Sequence, residues 1–149
     1  MAAVRRGAWV ALKYVTSIFF LGVILQFFFV GYGLFGMKDG KTIDKAKSLD
    51  AHRAFGFILA DGGAILMLVL VLLAWPTSRR LLGLWILLAV LAFFQPALAD
   101  FHHKWVGMFH PVNAILLLGL SATLARRAWA ARRAEEPEAA MAAPVPEVG

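Results

Sequence analysis

Four histidines, His52, His102, His103 and His110, are the residues of this 149-residue chain best equipped for chemistry. Imidazole ligates iron, copper and zinc, and it titrates near neutrality. Asp50, Arg53, Asp100 and Lys104 stand close to them in sequence. The chain has no cysteine, which excludes thiolate zinc sites, iron–sulfur clusters on cysteine and covalently attached haem. No phosphate loop, nucleophile elbow or HExxH pattern is present, so hydrolase chemistry has no support.

Two histidines head similar patterns. His52-Arg53-x-x-Gly56 is followed by Leu59 and Gly63, and His110-Pro111-x-Asn113-Ala114 by Leu117 and Ser121. Offsets of four, seven and eleven share one helical face, so each histidine heads a stripe of small and leucine residues. Two such stripes facing each other would leave a slot for a flat macrocycle, with His52 and His110 ligating its iron and Gly56, Gly63 and Ala114 lining it. That is the arrangement of non-covalent haem b in a helix bundle. Small residues at this spacing also serve close helix packing with no cofactor. A single zinc, copper or iron ion is a third reading, with His52, His110 and one of His102 or His103 as ligands together with Asp50 or Asp100. Adjacent histidines on a helix diverge, so only one of that pair would join. Histidines that sense external pH in a non-enzymatic membrane subunit or transport element are a fourth. No reaction is named by these residues.

Asp61 lies about 12 Å along its helix from Arg53, and a carboxylate at that depth in an apolar span is a functional candidate. Its offset from His52 puts it on the opposite helical face, away from the slot. Gln26, Gln95 and Asn113 are the other polar residues in that half of the chain's apolar segments. Asp61 is expected to pair with Gln26 or Gln95, as structural glue or as part of a proton path.

The elements that must position these residues follow from composition. Hydrophobic residues make up 61% of the chain and charged residues 16%, against about 45–50% and 25% in soluble domains. A core of this size cannot hide that surplus. Four apolar runs, over about 14–37, 54–75, 81–99 and 109–129, each approach the roughly 20 residues that cross a bilayer as helix. The expected fold is all-α: a single four-helix transmembrane domain over 1–134. The tail at 135–149 is expected to be disordered and cytoplasmic. Pro111 suits a first helical turn. The 38–51 loop, with Ile43 and Leu49 among its lysines, is a candidate interfacial helix, and Gly31, Gly33 and Gly36 let the chain turn into it.

Basic residues set the orientation. Arg5, Arg6, Lys13, Arg79, Arg80, Arg126, Arg127, Arg132 and Arg133 flank one side, and Lys38, Lys41, Lys45, Lys47, Arg53 and Lys104 the other. The richer side is expected inside, which places both termini in the cytoplasm and all four histidines at the outer ends. The expected setting is a multi-pass protein of the bacterial inner membrane. The net charge of +6 is assigned to lipid headgroups and topology rather than to nucleic acid. A redox partner, a larger membrane complex and self-association all stay open.

At His52-Arg53-x-x-Gly56 and His110-Pro111-x-Asn113-Ala114 the chain resembles a family of small bacterial four-helix membrane proteins. The resemblance covers about 26–127 and includes Gln26 and Gln95; it implies the architecture and not the chemistry. More loosely, histidines on the second and fourth spans resemble the cross-bundle pairs of cytochrome b561-type haem proteins. Those proteins carry a second pair on the opposite side, and this chain has no histidine there. The resemblance therefore implies at most one outer haem, and no electron path across the whole membrane within one subunit.

Overall fold

A computed structural model of the chain describes residues 1–37, 47–76, 78–100 and 104–141. All regular structure among them is helical. Helix α1 covers Ala2–Phe35, followed by a 3₁₀ turn at Lys47–Leu49 and α2 at Asp50–Phe57. A π turn at Ile58–Gly62 joins α2 to α3 at Gly63–Ala74. Helix α4 covers Arg79–Asp100, α5 is one turn at Lys104–Gly107, and α6 covers Phe109–Met141. Four spans, Ala2–Phe35, Lys47–Ala74, Arg79–Ala99 and Trp105–Ala130, are long and apolar enough to cross a membrane.

The helices outrun the apolar segments that announce them. Helix α1 begins at Ala2 rather than near Tyr14, because Arg, Lys and Ala sustain a helix as well as Leu does. The same propensity carries α6 past Ala134 to Met141, where the sequence suggests a disordered tail. Residues 142–149 lie outside the described residues. The second span begins at Lys47, so His52 lies within α2 instead of ahead of the span. Of the 38–51 loop, Lys38, Lys41, Ile43 and Lys45 lie outside the described residues.

The spans form a four-sided bundle. Helix α1 packs beside α3 and α6, and α4 completes the square against the same two helices. The second and fourth spans are thus diagonal. The core is built from Leu12, Phe19, Met67, Val71, Trp85, Leu88 and Leu124, all at most 2% exposed. Large apolar side chains such as Ile18, Phe28, Ile58 and Ile115 point outward and are more than 60% exposed. In water that surface would aggregate; in lipid it is matched to its solvent.

Helix α1 meshes with the second span in antiparallel register. Gln26 lies over Gly56, Leu59 over Gly22, and Phe19 over Gly63. A Cβ added at these glycines would come within 2.8 Å of Gln26 Nε2, 2.7 Å of Leu59 Cδ1 and 3.0 Å of Phe19 Cδ2, respectively. The missing side chains are what allow the approach. Further along α1, Leu49 seats directly on Gly33 and closes the loop against the helix.

The opposite end is tied differently. Arg5 donates to the Trp75 carbonyl at 2.8 Å and reaches the Ala74 carbonyl at 3.5 Å, capping the end of α3. Trp75 itself is left-handed, with φ 41°. Lys13 is only 4% exposed, with its ammonium 4.3 Å from the Trp129 ring centre and 5.2 Å from that of Tyr14. Aromatic faces stand in for water around that charge. The Trp129 indole donates to Ser17 Oγ at 3.1 Å and so fixes α6 against α1.

Two neighbouring glycines separate packing from propensity. Gly31 has nothing within 4 Å of an added Cβ, whereas at Gly33 the Ser48 carbonyl oxygen would lie at 2.9 Å. Gly31→Ala is expected to raise stability by about 0.5–1 kcal/mol. Gly33→Ala is expected to lower it by about 1–3 kcal/mol. Unfolding in mixed detergent micelles measures both, and equal effects would refute the packing role of Gly33.

Candidate functional site

Every span sends at least one polar residue to the same end of the bundle: Gln26 from α1, His52 from α2, Gln95 from α4, and His110 with Asn113 from α6. The residues were separately visible in the sequence; the structure makes them neighbours. His52 and His110 face each other across the diagonal, with ring centres 6.3 Å apart and planes at 82°.

Each histidine is held by a glutamine of an adjacent helix, His52 through its backbone and His110 through both backbone and ring. Gln26 Nε2 donates to the His52 carbonyl at 3.2 Å, in the space left by Gly56. On the other side, Gln95 Nε2 donates to the His110 carbonyl at 3.0 Å. His110 Nδ1 lies 3.0 Å from the Gln95 carbonyl oxygen. A carbonyl only accepts, so Nδ1 carries the proton and Nε2 keeps its lone pair. That Nε2 has only a long 3.5 Å approach from Gln95 Nε2. Asn113, 6% exposed, donates to Gln95 Oε1 at 2.6 Å and to the Leu91 carbonyl at 2.8 Å. The network thus clamps α6 to α4 around the His110 ring.

Pro96, inside α4, is the residue that sequence reasoning passed over. It has no N–H for the Ala92 carbonyl and disturbs the helical ladder there. The flanking Leu91 and Gln95 carbonyls are those that accept from Asn113 and His110. A Gln-Pro pair in an apolar span was the available signal.

Among the described residues, three buried polar atoms lack a partner: Gln26 Oε1, Ser48 Oγ and His52 Nδ1. Such atoms are uncommon in packed proteins. On one span of the site, then, a ring nitrogen is oriented and its partner nitrogen spared; on the other a ring nitrogen is buried and unused.

The remaining expected residues separate. The stripe behind His110 does face inward: Leu117 is 3% exposed and Ser121 0%, with Ala114 half-buried beside them. The stripe behind His52 faces α1 and is closed by Gln26, Leu59 and Phe19. Gly56 and Gly63 therefore serve packing, and the two stripes do not enclose a slot. Helical spacing told which residues share a face but not which neighbour the face meets. Asp61 lies half-buried in the π turn, and the expected pairing is not formed, since the amides of Gln26 and Gln95 bond elsewhere. His102 and His103 lie outside the described residues. Among the described residues, no third His, Asp or Glu gathers with His52 and His110.

The donor set fits a metal held from two sides. With metal–nitrogen bonds of about 2 Å, imidazoles on opposite sides of one metal have ring centres about 6 Å apart. The observed 6.3 Å matches that spacing. A proton donated from Nδ1 to a backbone carbonyl is the usual support for a ligating histidine. No protein-family model, curated protein or solved structure matches the chain.

Asn113→Ala removes two interhelical hydrogen bonds. The expected cost is about 0.5–1.5 kcal/mol, since such bonds in membranes are individually modest. Gln95→Leu keeps the backbone carbonyl that holds His110 Nδ1. Its ¹⁵N spectrum is expected to retain the Nδ1-protonated tautomer, and a switch to Nε2 would refute that source of orientation.

Proposed function

We propose that this chain is a multi-pass protein of the bacterial inner membrane, with both termini cytoplasmic, in which His52 and His110 bind one haem b near the outer face. The observation that carries the proposal is the meeting of these two imidazoles across the diagonal at 6.3 Å. Haem b brings four nitrogens of its own, and His52 and His110 would supply the two further nitrogens that hold its iron. Bound there, its iron would supply one-electron chemistry to a redox partner.

The protein's own contribution is orientation. The Gln95 carbonyl fixes the His110 proton on Nδ1 and leaves Nε2 to ligate. Gln26 steadies the His52 backbone, and Asn113 holds the Gln95 amide in place. The apolar bundle around the pair favours a ligand of low net charge. With histidines at one end only, a single chain would pass electrons along the outer side or through a larger membrane complex.

One observation favours a second reading. Because α1 closes the stripe of Gly56 and Gly63, the pair fits a bare transition-metal ion, completed by His102 or His103, with less rearrangement than a macrocycle demands.

Absorption spectra and elemental analysis of protein purified in mild detergent distinguish the two. Haem binding is expected to give a Soret band at one equivalent per chain, lost in both His52→Ala and His110→Ala. Stoichiometric metal without porphyrin absorption, lost in the same variants, moves the assignment to the bare ion. A folded, colourless protein that takes up neither hemin nor metal overturns both.

A further inference from the structure

The second site is at the other end of the bundle and does not depend on what the histidines hold. A cavity of about 640 Å³ opens between the N-terminal part of α1, the α3–α4 turn and the first turns of α4. Arg5 and Arg79 are the charged part of its lining, and Trp75, Pro76, Leu82, Gly83 and Ile86 the apolar part. Ligand sites typically occupy about 300–1,000 Å³.

We propose that this cavity binds the phosphodiester headgroup and upper acyl chain of an anionic phospholipid. The two parts of its lining match the two parts of such a molecule. Arg5 uses Nε and Nη2 on the carbonyls of Ala74 and Trp75, which fixes its guanidinium at the mouth with further N–H groups to spare. Arg79 brings a second guanidinium, and no hydrogen bond or ion pair within the described chain engages it. Planar guanidinium groups are suited to phosphate oxygens. Below them, Leu82 and Ile86 lie one turn apart on α4, and Gly83 leaves the wall hollow, with nothing within 4 Å of an added Cβ. That line runs from the helix end toward the middle of the third span, the path an acyl chain takes. Trp75, 55% exposed in its left-handed turn, stands where aromatic rings mark the headgroup level. Free phosphate shares the headgroup chemistry but leaves the apolar wall unused.

Native mass spectrometry of the full chain in mild detergent, loaded with phosphatidylglycerol or with phosphatidylcholine, tests the assignment. The unmodified chain is expected to retain one phosphatidylglycerol under conditions that strip phosphatidylcholine. Arg79→Gln is expected to weaken that retention about fivefold, as one cation at a lipid surface does. Gly83→Leu fills the hollow and is expected to abolish retention of phosphatidylglycerol, while helix content and melting in detergent stay unchanged. Unchanged retention in both variants overturns the proposal. Displacement of lipid by millimolar inorganic phosphate, with Gly83→Leu without effect, makes it a free-phosphate site and overturns the lipid assignment.

Discussion

The close approach of α1 to the second span governs the rest of the molecule. Lipid offers helices no hydrophobic drive toward one another, so contact must come from shape. Here shape is supplied by Gly22, Gly56 and Gly63, each of which receives a larger side chain from across the interface. The register that results puts the Gln26 amide on the His52 backbone. A shift of one turn along either helix would move the imidazole about 5.4 Å and dissolve the histidine pair. The position of His52 is therefore a property of α1 as much as of α2.

On the other side of the bundle the same task is done by polar bonds. Pro96 interrupts the helical ladder of α4, and Asn113 and His110 from α6 bond the Leu91 and Gln95 carbonyls in the stretch just before it. These bonds hold α4 and α6 together at the level of the break. One histidine is placed by steric meshing and its counterpart by hydrogen bonds.

Much of this was legible in the sequence. The charge-free runs gave the number of spans, because the bilayer imposes length and apolarity together. The convergence of Gln26, His52, Gln95, His110 and Asn113 at one end followed from topology alone. The partner of each face did not. The stripe of Gly56, Leu59 and Gly63 suits α1 because Phe19, Gly22 and Gln26 are complementary to it, and complementarity is a property of pairs that a single helix's periodicity does not contain. The pairing of Asp61 with Gln26 or Gln95 is not formed for a related reason, since those amides meet His52, His110 and Asn113 instead. Helix ends were missed too, because Arg5, Arg6 and Lys13 end an apolar run without ending a helix. The π turn around Asp61 had no compositional signal.

Four helices packed along the sides of a square reach their diagonal partners through the shared buried core. His52 and His110 meet on one of those diagonals, at one end of the bundle. A ligand that bridged the two imidazoles would add a cross-brace there. Occupancy would then be felt as stiffness throughout the bundle, including the end where Arg5 and Trp129 fasten α1 to its neighbours.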